Sequence, residues 1–332
     1  MSKFTIKEIA EMAQTSKTTV SFYLNNKHEK MSEETKKRIE RVIRETGYKP
    51  SVVARSLNSK NTKLIGVLIG DITNSFSNQI VKGIEEAAHK SGYQVIIGNS
   101  NYDQESEDRY IESMLMLGVD GFIIQPTSHF RKYSRIIEEK KKQVIFFDSQ
   151  LYEHRTSWIK TNNYDAVYDA TQVCVEKGYQ RFILITADTS RLSTRIERVT
   201  GFVDALSDYQ KSYQELIISD EHTDVTEIKE FLEGAIDPQE MTFVFVPNCW
   251  ALPIVFKAMK ELHLSFPQVG LLGFDNTEWT NFSSPTISTI VQPAFEEGLQ
   301  ATKMLIDQIE GRHKEDRQQV LDCTVHWKNS TI

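Results

Sequence analysis

Cysteine is scarce in this 332-residue chain: Cys174, Cys249 and Cys323 are widely spaced and have no histidine at metal-ligand spacing. That pattern suggests neither a disulfide framework nor a zinc site, and free, partly buried thiols are expected instead. No apolar run reaches the roughly 18 residues of a membrane span. The amino terminus passes straight into a capped helical pattern with no signal-peptide core, so a cytoplasmic protein without a membrane role is expected and a periplasmic carrier is not. The eight histidines are scattered, and lone ones such as His129 and His154 read as surface or structural groups. GxxxxGK[ST] and GxSxG are both absent. Without a nucleophile beside a base, a phosphate-cradling loop or a metal cluster in the sequence, the chain reads as a non-enzyme with no cofactor and no metal.

Residues 5–24, TIKEIAEMAQTSKTTVSFYL, carry two short helical patterns around a polar break. Thr5 and Glu8 fit a capping box, and Ile6, Ile9, Ala10 and Ala13 recur on one helix face. Ser16 can cap a second helix in which Val20 and Leu24 turn inward and Lys17, Thr18 and Ser21 stay polar. A third helix starts at Ser32 with Glu33 and Glu34 in its first turn, buries Ile39, Val42 and Ile43, and ends at Gly47. Three helices with this break describe a helix-turn-helix, although helix pairs of this kind also occur in small domains that never touch DNA. Charge adds to the reading. Residues 1–63 hold 14 Lys and Arg against 7 Asp and Glu, whereas the remaining residues hold 25 against 39. A basic head on an acidic body suits phosphate binding, because charge acts over about a Debye length and whole-chain acidity does not cancel it. A solvated basic face on a helical domain stays open at this point.

From Leu64 the texture becomes short apolar runs alternating with amphipathic helices. LIGVLI (64–69), QVIIG (94–98), GFIIQ (121–125) and QVIFFD (143–148) read as buried strands, with helices near 78–91, 104–117 and 130–141. RFILIT (181–186), ELIIS (215–219), TFVFV (242–246) and VGLLGF (269–274) form a second set. The length suits two or three domains, and two sets of this kind predict two lobes, each a parallel sheet with helices on both faces. Ligands of such sheets bind beyond the carboxyl ends of the strands. The candidates there are 71–77, Asp148, Asn248 and Asp275, with Ser193, Arg195 and Arg198 at a helix start. Polar strand ends are general in α/β proteins, so these positions by themselves favour a site only slightly.

The head sequence, GYKPSVVARSL (47–57), TKLIGVLI, RVTGF (198–202), GLLGFDN and PTISTIVQP, in this order and spacing, resemble the LacI/GalR bacterial transcriptional repressors from end to end. The resemblance implies an all-α helix-turn-helix head plus an α/β body that is two-lobed and periplasmic-binding-protein-like. The implied division is 1–50 for the head, 51–62 for a hinge helix and linker, 63–161 with 291–321 for the N-terminal effector lobe, and 162–290 with 322–332 for the C-terminal lobe. It implies a homodimer on double-stranded operator DNA, nucleoid-associated when bound, repressing carbohydrate catabolism genes under a small sugar or sugar-acid effector. By position, Lys17, Thr18 and Phe22 would face base edges, and Thr5, Ser16, Thr19, Ser21 and Asn25 would lie near phosphates. Ser51 would cap a hinge helix in which Ala54 and Arg55 flank Leu57, the minor-groove wedge. Effector contacts would come from Ser75, Phe76, Asp148, Arg198, Asn248, Asp275 and Gln292, to which the helix-start position adds Arg195.

Four positions depart from the pattern of the resembled family. Phe22 stands where Arg is usual and cannot read guanine through two hydrogen bonds. Ser51 stands for the commoner Asn. In the cleft, Ser149 replaces an Arg and Cys249 an Asp, which removes a negative neighbour. NNYDA (162–166), STRIER (193–198) and GFDNTEW (273–279) look closest to the branch regulating 2-keto-3-deoxygluconate and related uronate catabolism, and a sugar acid suits Arg195 plus Arg198. The alternatives are a global catabolite regulator with a phosphorylated carrier protein as co-repressor and a cytoplasmic sugar-binding α/β protein without a DNA role. The absence of a leucine heptad tail favours a dimer over a tail-made tetramer.

Overall fold

The computed structural model describes residues 4–24, 27–48, 61–127, 130–149, 157–219, 222–275, 278–312 and 317–332. The expected contacts Asn25, Ser51, Ala54, Arg55 and Leu57 lie outside the described residues. The chain divides into two compact units, Met1–Thr62 and Lys63–Ile332.

In the first unit, α1 (Ile6–Met12), α2 (Lys17–Leu24) and α3 (Glu33–Thr46) surround a small core of Ile9, Ala10, Ala13, Val20, Ile39, Val42 and Tyr48. Ile6, Leu24 and Ile43 are half-buried at its margin. The caps are those legible in the sequence: Thr5 and Glu8 form the reciprocal box, the Thr19 amide donates to Ser16 Oγ at 3.0 Å, and the Thr35 amide donates to Ser32 Oγ at 3.2 Å. Gly47 closes α3 at φ +61°, a left-handed conformation that a Cβ would strain.

The second unit contains two six-stranded sheets. Its first half runs β1 (Leu64–Ile69), α4 (Ser75–Lys90), β2 (Gln94–Asn99), α5 (Gln104–Leu117), β3 (Gly121–Ile124), α6 (Arg131–Glu139), β4 (Gln143–Phe147) and β5 (Ser157–Thr161). The chain then enters the second half: α7 (Asn163–Glu176), β6 (Arg181–Ala187), α8 (Ser193–Asp208), β7 (Tyr213–Ile218), α9 (Val225–Ala235), β8 (Thr242–Val246), α10 (Leu252–Glu261), β9 (Val269–Phe274), α11 (Trp279–Phe282) and β10 (Ser288–Val291). It returns to the first half as α12 (Ala294–Ile309) and β11 (Gln318–Leu321), and ends in the second with β12 (Thr324–His326). Strand orders are β11-β5-β4-β3-β1-β2 and β12-β10-β9-β8-β6-β7.

Alternate residues of each central strand enter opposite cores. Ile65, Val67 and Ile69 pack in one cluster and Leu68 in another, while Ile183 and Ile185 separate in the same way from Phe182 and Leu184. This alternation is why the strands read as continuous apolar runs, since helices cover both faces. The expectation of parallel sheets is met except at β12, which pairs antiparallel with β10. β10 runs toward the crossing between the halves and β12 leaves it, with Val291 opposite Thr324, so the two must run in opposite directions. The segment VLDCTVHW (320–327) holds the end of β11 and the whole of β12, in different sheets. The three crossings are stitched together: the Asn162 amide donates to Leu321 O at 3.0 Å, the Cys323 amide to Asn162 Oδ1 at 2.7 Å, and Thr161 Oγ1 to Gln292 Oε1 at 2.8 Å.

Candidate functional site

On the first unit, α2 places Lys17 and Thr18 outward and exposed near its start, with Ser21 and Phe22 half-buried. Several hydroxyls expected near phosphates already have local partners. Thr5 Oγ1 donates to Glu8 Oε2 at 2.8 Å, and the Ser16 and Thr19 hydroxyls lie 2.9 Å apart. Their first task is to hold the two helix starts, which orients the outward side chains. The Lys30 ammonium stands 5.0 Å from the centre of the Phe22 ring, a cation–π contact that keeps a positive charge beside the residue that replaces the usual arginine.

In the second unit, the carboxyl ends of strands from both sheets meet at one cleft, with about 430 Å³ of space between its atoms. Phe76, Asp148, Arg195, Arg198, Asn248, Asp275 and Gln292 all line it. Ser75, the eighth expected contact, lines an adjoining recess with about 960 Å³ of space between its atoms, which shares Phe76, Asp275 and Gln292 with the cleft. Ser75 and Phe76 are neighbours at the start of α4, so their side chains leave the helix about 100° apart; Phe76 borders both spaces and Ser75 the recess.

Each polar group is fixed from behind. Arg198 is buried, donates from Nε to Asn163 Oδ1 at 2.7 Å and from Nη1 to Pro247 O at 2.9 Å, and stacks 3.7 Å from the centre of the Phe274 ring. Arg195 is also buried and donates to Asp188 O at 2.9 Å. Helix-start arginines ordinarily face solvent; here α8 begins at the cleft, with Thr194, Arg195 and Arg198 buried against it while Ile196 is exposed on the other side. Asn248 Oδ1 accepts from the Ala187 amide at 3.1 Å, and Gln292 Nε2 reaches both oxygens of Asp275 at 3.0 Å. Gln125 accepts from the Gly70 amide at 2.9 Å and donates to Asp148 Oδ2 at 2.7 Å. Asp148 and Asp275 end their strands at φ +63° and +71°, unusual for residues with a side chain and frequent where a site dictates the backbone.

Burial pushes the carboxyls of Asp148 and Asp275 above their ordinary range, with the Arg198 guanidinium opposing the rise. Burial likewise pushes the Cys249 thiol up to about 12, so it is a neutral thiol, and its Sγ lies 3.4 Å from Asn74 Oδ1 on the opposite half. Ser149 is buried and donates to Pro126 O at 3.4 Å. Asn74, within the expected 71–77 stretch, also lines the cleft, whereas sequence reasoning missed Tyr102, Gln125, Leu192, Thr194 and Trp250. Gln125 stood at a strand end and was accessible by the rule that found Asp148. Tyr102 follows β2 in a turn, and only the fold brings it across to Asp148 and Arg195.

This cleft and head match known proteins. Residues 62–331 match the family described as periplasmic binding proteins and sugar binding domain of the LacI family, and residues 5–51 match the bacterial regulatory proteins of the lacI family. The chain belongs to the LacI family. It is a DNA-binding transcriptional regulator with a sugar-binding body, controlled by an effector. Relatives in the family include the transcriptional regulator KdgR of Bacillus subtilis, 31% identical over 92% of this chain and 91% of the relative. The probable regulator EndR of Paenibacillus polymyxa is 30% identical over 94% and 92%. Among solved structures, the lac repressor dimer bound to operator and the anti-inducer ONPF has a TM-score of 0.84 at 22% identity, covering 99% of both chains, a likeness of fold. A LacI-family regulator from Enterococcus faecium with bound ribose has a TM-score of 0.70 at 25% identity, covering 81% of this chain and 98% of that one. No helix among the described residues is long and apolar enough to cross a membrane.

Proposed function

We propose that this LacI-family member is a homodimeric repressor without catalytic activity, released from its operator by a sugar acid held between the two halves of the body. The observation that carries the ligand class is the charge of the cleft. Two buried guanidinium groups, Arg195 and Arg198, line the cleft; Arg198 faces carboxyls that burial drives toward their neutral form, and the neutral Cys249 thiol lies in the same lining. Such a site holds a positive excess and fixed donors for a carboxylate, while Asp148, Asn248, Asp275 and Gln292 suit hydroxyl groups. Phe76 and Trp250 supply apolar surface for a sugar face.

The DNA contacts follow by position: Lys17, Thr18 and Phe22 toward base edges, and Thr5, Ser16, Thr19, Ser21 and Asn25 toward phosphates. Leu57 is the hinge wedge, with Ser51, Ala54 and Arg55 around it. A single helix-turn-helix buries too little to hold an operator specifically, and two heads on one dimer impose half-site spacing. Phe282, 84% exposed, and Met116, 81% exposed, are apolar groups that a second copy would cover. Effector and operator oppose each other when the ligand binds the two arrangements of the body unequally; a hundredfold loss of operator affinity needs about 2.7 kcal/mol of coupling.

The test is a thermal-shift series on the purified full chain with 2-keto-3-deoxygluconate, D-gluconate, D-glucuronate and neutral D-ribose, followed by operator release measured by fluorescence anisotropy. A ligand at a hundred times its Kd stabilises the protein by about 2.7 kcal/mol. Stabilisation by ribose with none by the three acids would refute the sugar-acid reading and leave a neutral-sugar regulator.

A further inference from the structure

Glu297 lies in the first half of α12, behind the cleft wall, and is completely buried. It cannot swing out. Its neighbour Gly298 packs so closely on α4 that an added Cβ would come 2.1 Å from Ile80 O, and on α4 a Cβ at Gly83 would come 2.0 Å from Phe295 O. The two helices touch backbone to backbone and hold Glu297 against the end of β4. There Glu297 Oε1 accepts the main-chain amide of Asp148 at 2.7 Å, the residue held at φ +63°. The other carboxylate oxygen, Oε2, is buried without a hydrogen-bond partner, and so is Asp148 Oδ1. Two buried acids, each with an orphan oxygen, are thus joined through the Asp148 amide, and the Asp148 carboxylate is the largest charge acting on Glu297.

We propose that Glu297 is a positioning residue of the effector site: it fixes Asp148 in its left-handed turn and shares one proton with it, which links occupancy of the cleft to pH. Two fully buried carboxyls that repel one another resist being ionised together, and one proton satisfies an orphan acceptor that would otherwise be buried unpaired. The surroundings supply too little positive charge to replace it. The charged groups acting on Glu297 are Asp148, Asp275 and Arg198, and its carboxyl is pushed well up by burial first and by Asp148 second. Of the elements packed against α12, β3 and β4 carry no charged residue, and the only one on β5, Lys160, is bonded to Glu197. The charges of α4, such as Lys82 and Lys90, point to solvent. Within α12 itself, Glu296 accepts from Gln300 at 2.5 Å.

The inference rests on the cleft's being the effector site, and two arms of the experiment keep that premise separate. The first arm needs no ligand. A carboxyl whose folded value is raised adds stability that is complete below its unfolded value and is lost as pH rises through the folded one. The Tm of the full chain should therefore fall more steeply from about pH 5 to about pH 8 than that of Glu297→Gln, which keeps the acceptor for the Asp148 amide and carries a permanent N–H donor. The infrared carbonyl band of a protonated carboxyl should weaken in the same variant. Parallel Tm profiles with an unchanged band would overturn the proposal, and Glu297→Leu, which has no titrating group, reports the same slope if the Gln variant folds poorly. The second arm measures Kd for 2-keto-3-deoxygluconate and D-ribose against pH. Affinity for the acid should drop with rising pH in the native chain by up to about tenfold per unit and less in Glu297→Gln. Glu297→Leu, with Asp148 unmoored, should bind at least about tenfold more weakly while effector-free operator affinity is unchanged. Identical pH dependence in the native and Gln proteins would overturn the link to occupancy. If neither probe binds the native chain, the effector reading fails while the first arm still decides the shared proton.

Discussion

Replacing Arg198 by alanine removes a side chain that both lines the cleft and opposes the upward shift of its carboxyls. In the native chain its guanidinium is buried, donates to Asn163 and Pro247, stacks on Phe274 and faces the carboxyls of Asp148 and Asp275. A charge-assisted hydrogen bond to a ligand contributes about 1.5–3 kcal/mol, so effector affinity should fall about 10- to 150-fold. Stability should fall as well, by about 3 kcal/mol near neutral pH, because removing one partner leaves buried carboxylates uncompensated. The loss depends on pH with a definite sign. Arg198 holds the Asp148 and Asp275 carboxyls down against the rise that burial causes, so without it both shift further upward. A carboxyl with a raised folded value loses its stabilising contribution as pH increases, so the deficit should be larger at about pH 8 than at about pH 5. Titration calorimetry gives the affinity, urea unfolding at the two pH values gives the stability, and fluorescence anisotropy gives operator binding, which should persist without release. Native effector affinity in the variant, or a stability loss equal at both pH values, would refute the reasoning.

Three further changes probe separate links. Cys249→Asp places a carboxylate where a neutral thiol now faces Asn74 and Asp275; it should weaken a sugar acid by about tenfold, or 1.4 kcal/mol, and D-ribose less, and equal losses in calorimetry would count against the charge argument. Phe22→Arg should create a guanine preference at one base pair of each half-site, worth about 1–3 kcal/mol of discrimination; an operator selection with unaltered sequence preference would show that Phe22 does not face the bases. Thr5→Ala breaks the capping box and should cost α1 about 1 kcal/mol; hydrogen exchange should quicken in residues 6–12 while effector binding is unchanged, and native exchange rates there would remove the cap from the account.

Much of the molecule was legible because its signals are local. The capping box at Thr5 and Glu8, the glycine closing α3, and the two sets of apolar runs depend on residues within one or two turns of one another. Strand ends gave Asp148, Asn248 and Asp275 because parallel sheets present those ends on one side. β5 and β10 went unnoticed: SWIKT and STIV are short and partly polar and lack the apolar run that marked the other strands. Tyr102 and Trp250 reach the cleft from turns and loop segments that sequence spacing does not mark as close to it. Ser75 was expected in the cleft and lines the recess beside it, a difference of one side-chain direction on one helix.

The sequence by itself determined the helix-turn-helix head, the segregation of basic and acidic charge and the two α/β sets, since caps, periodicity and charge counts are properties of neighbouring residues. It also carried the resemblance that the family comparisons established. The tertiary structure decided which polar groups are inside and what each one faces. Arg198 and Glu297 are both helix residues that pattern alone would leave at the surface. Only the crossing of the chain between two sheets and the close approach of α4 and α12 bury them where both act on Asp148. Burial and opposing charge depend on distances between segments far apart in the chain, and those distances set whether a carboxyl holds its proton.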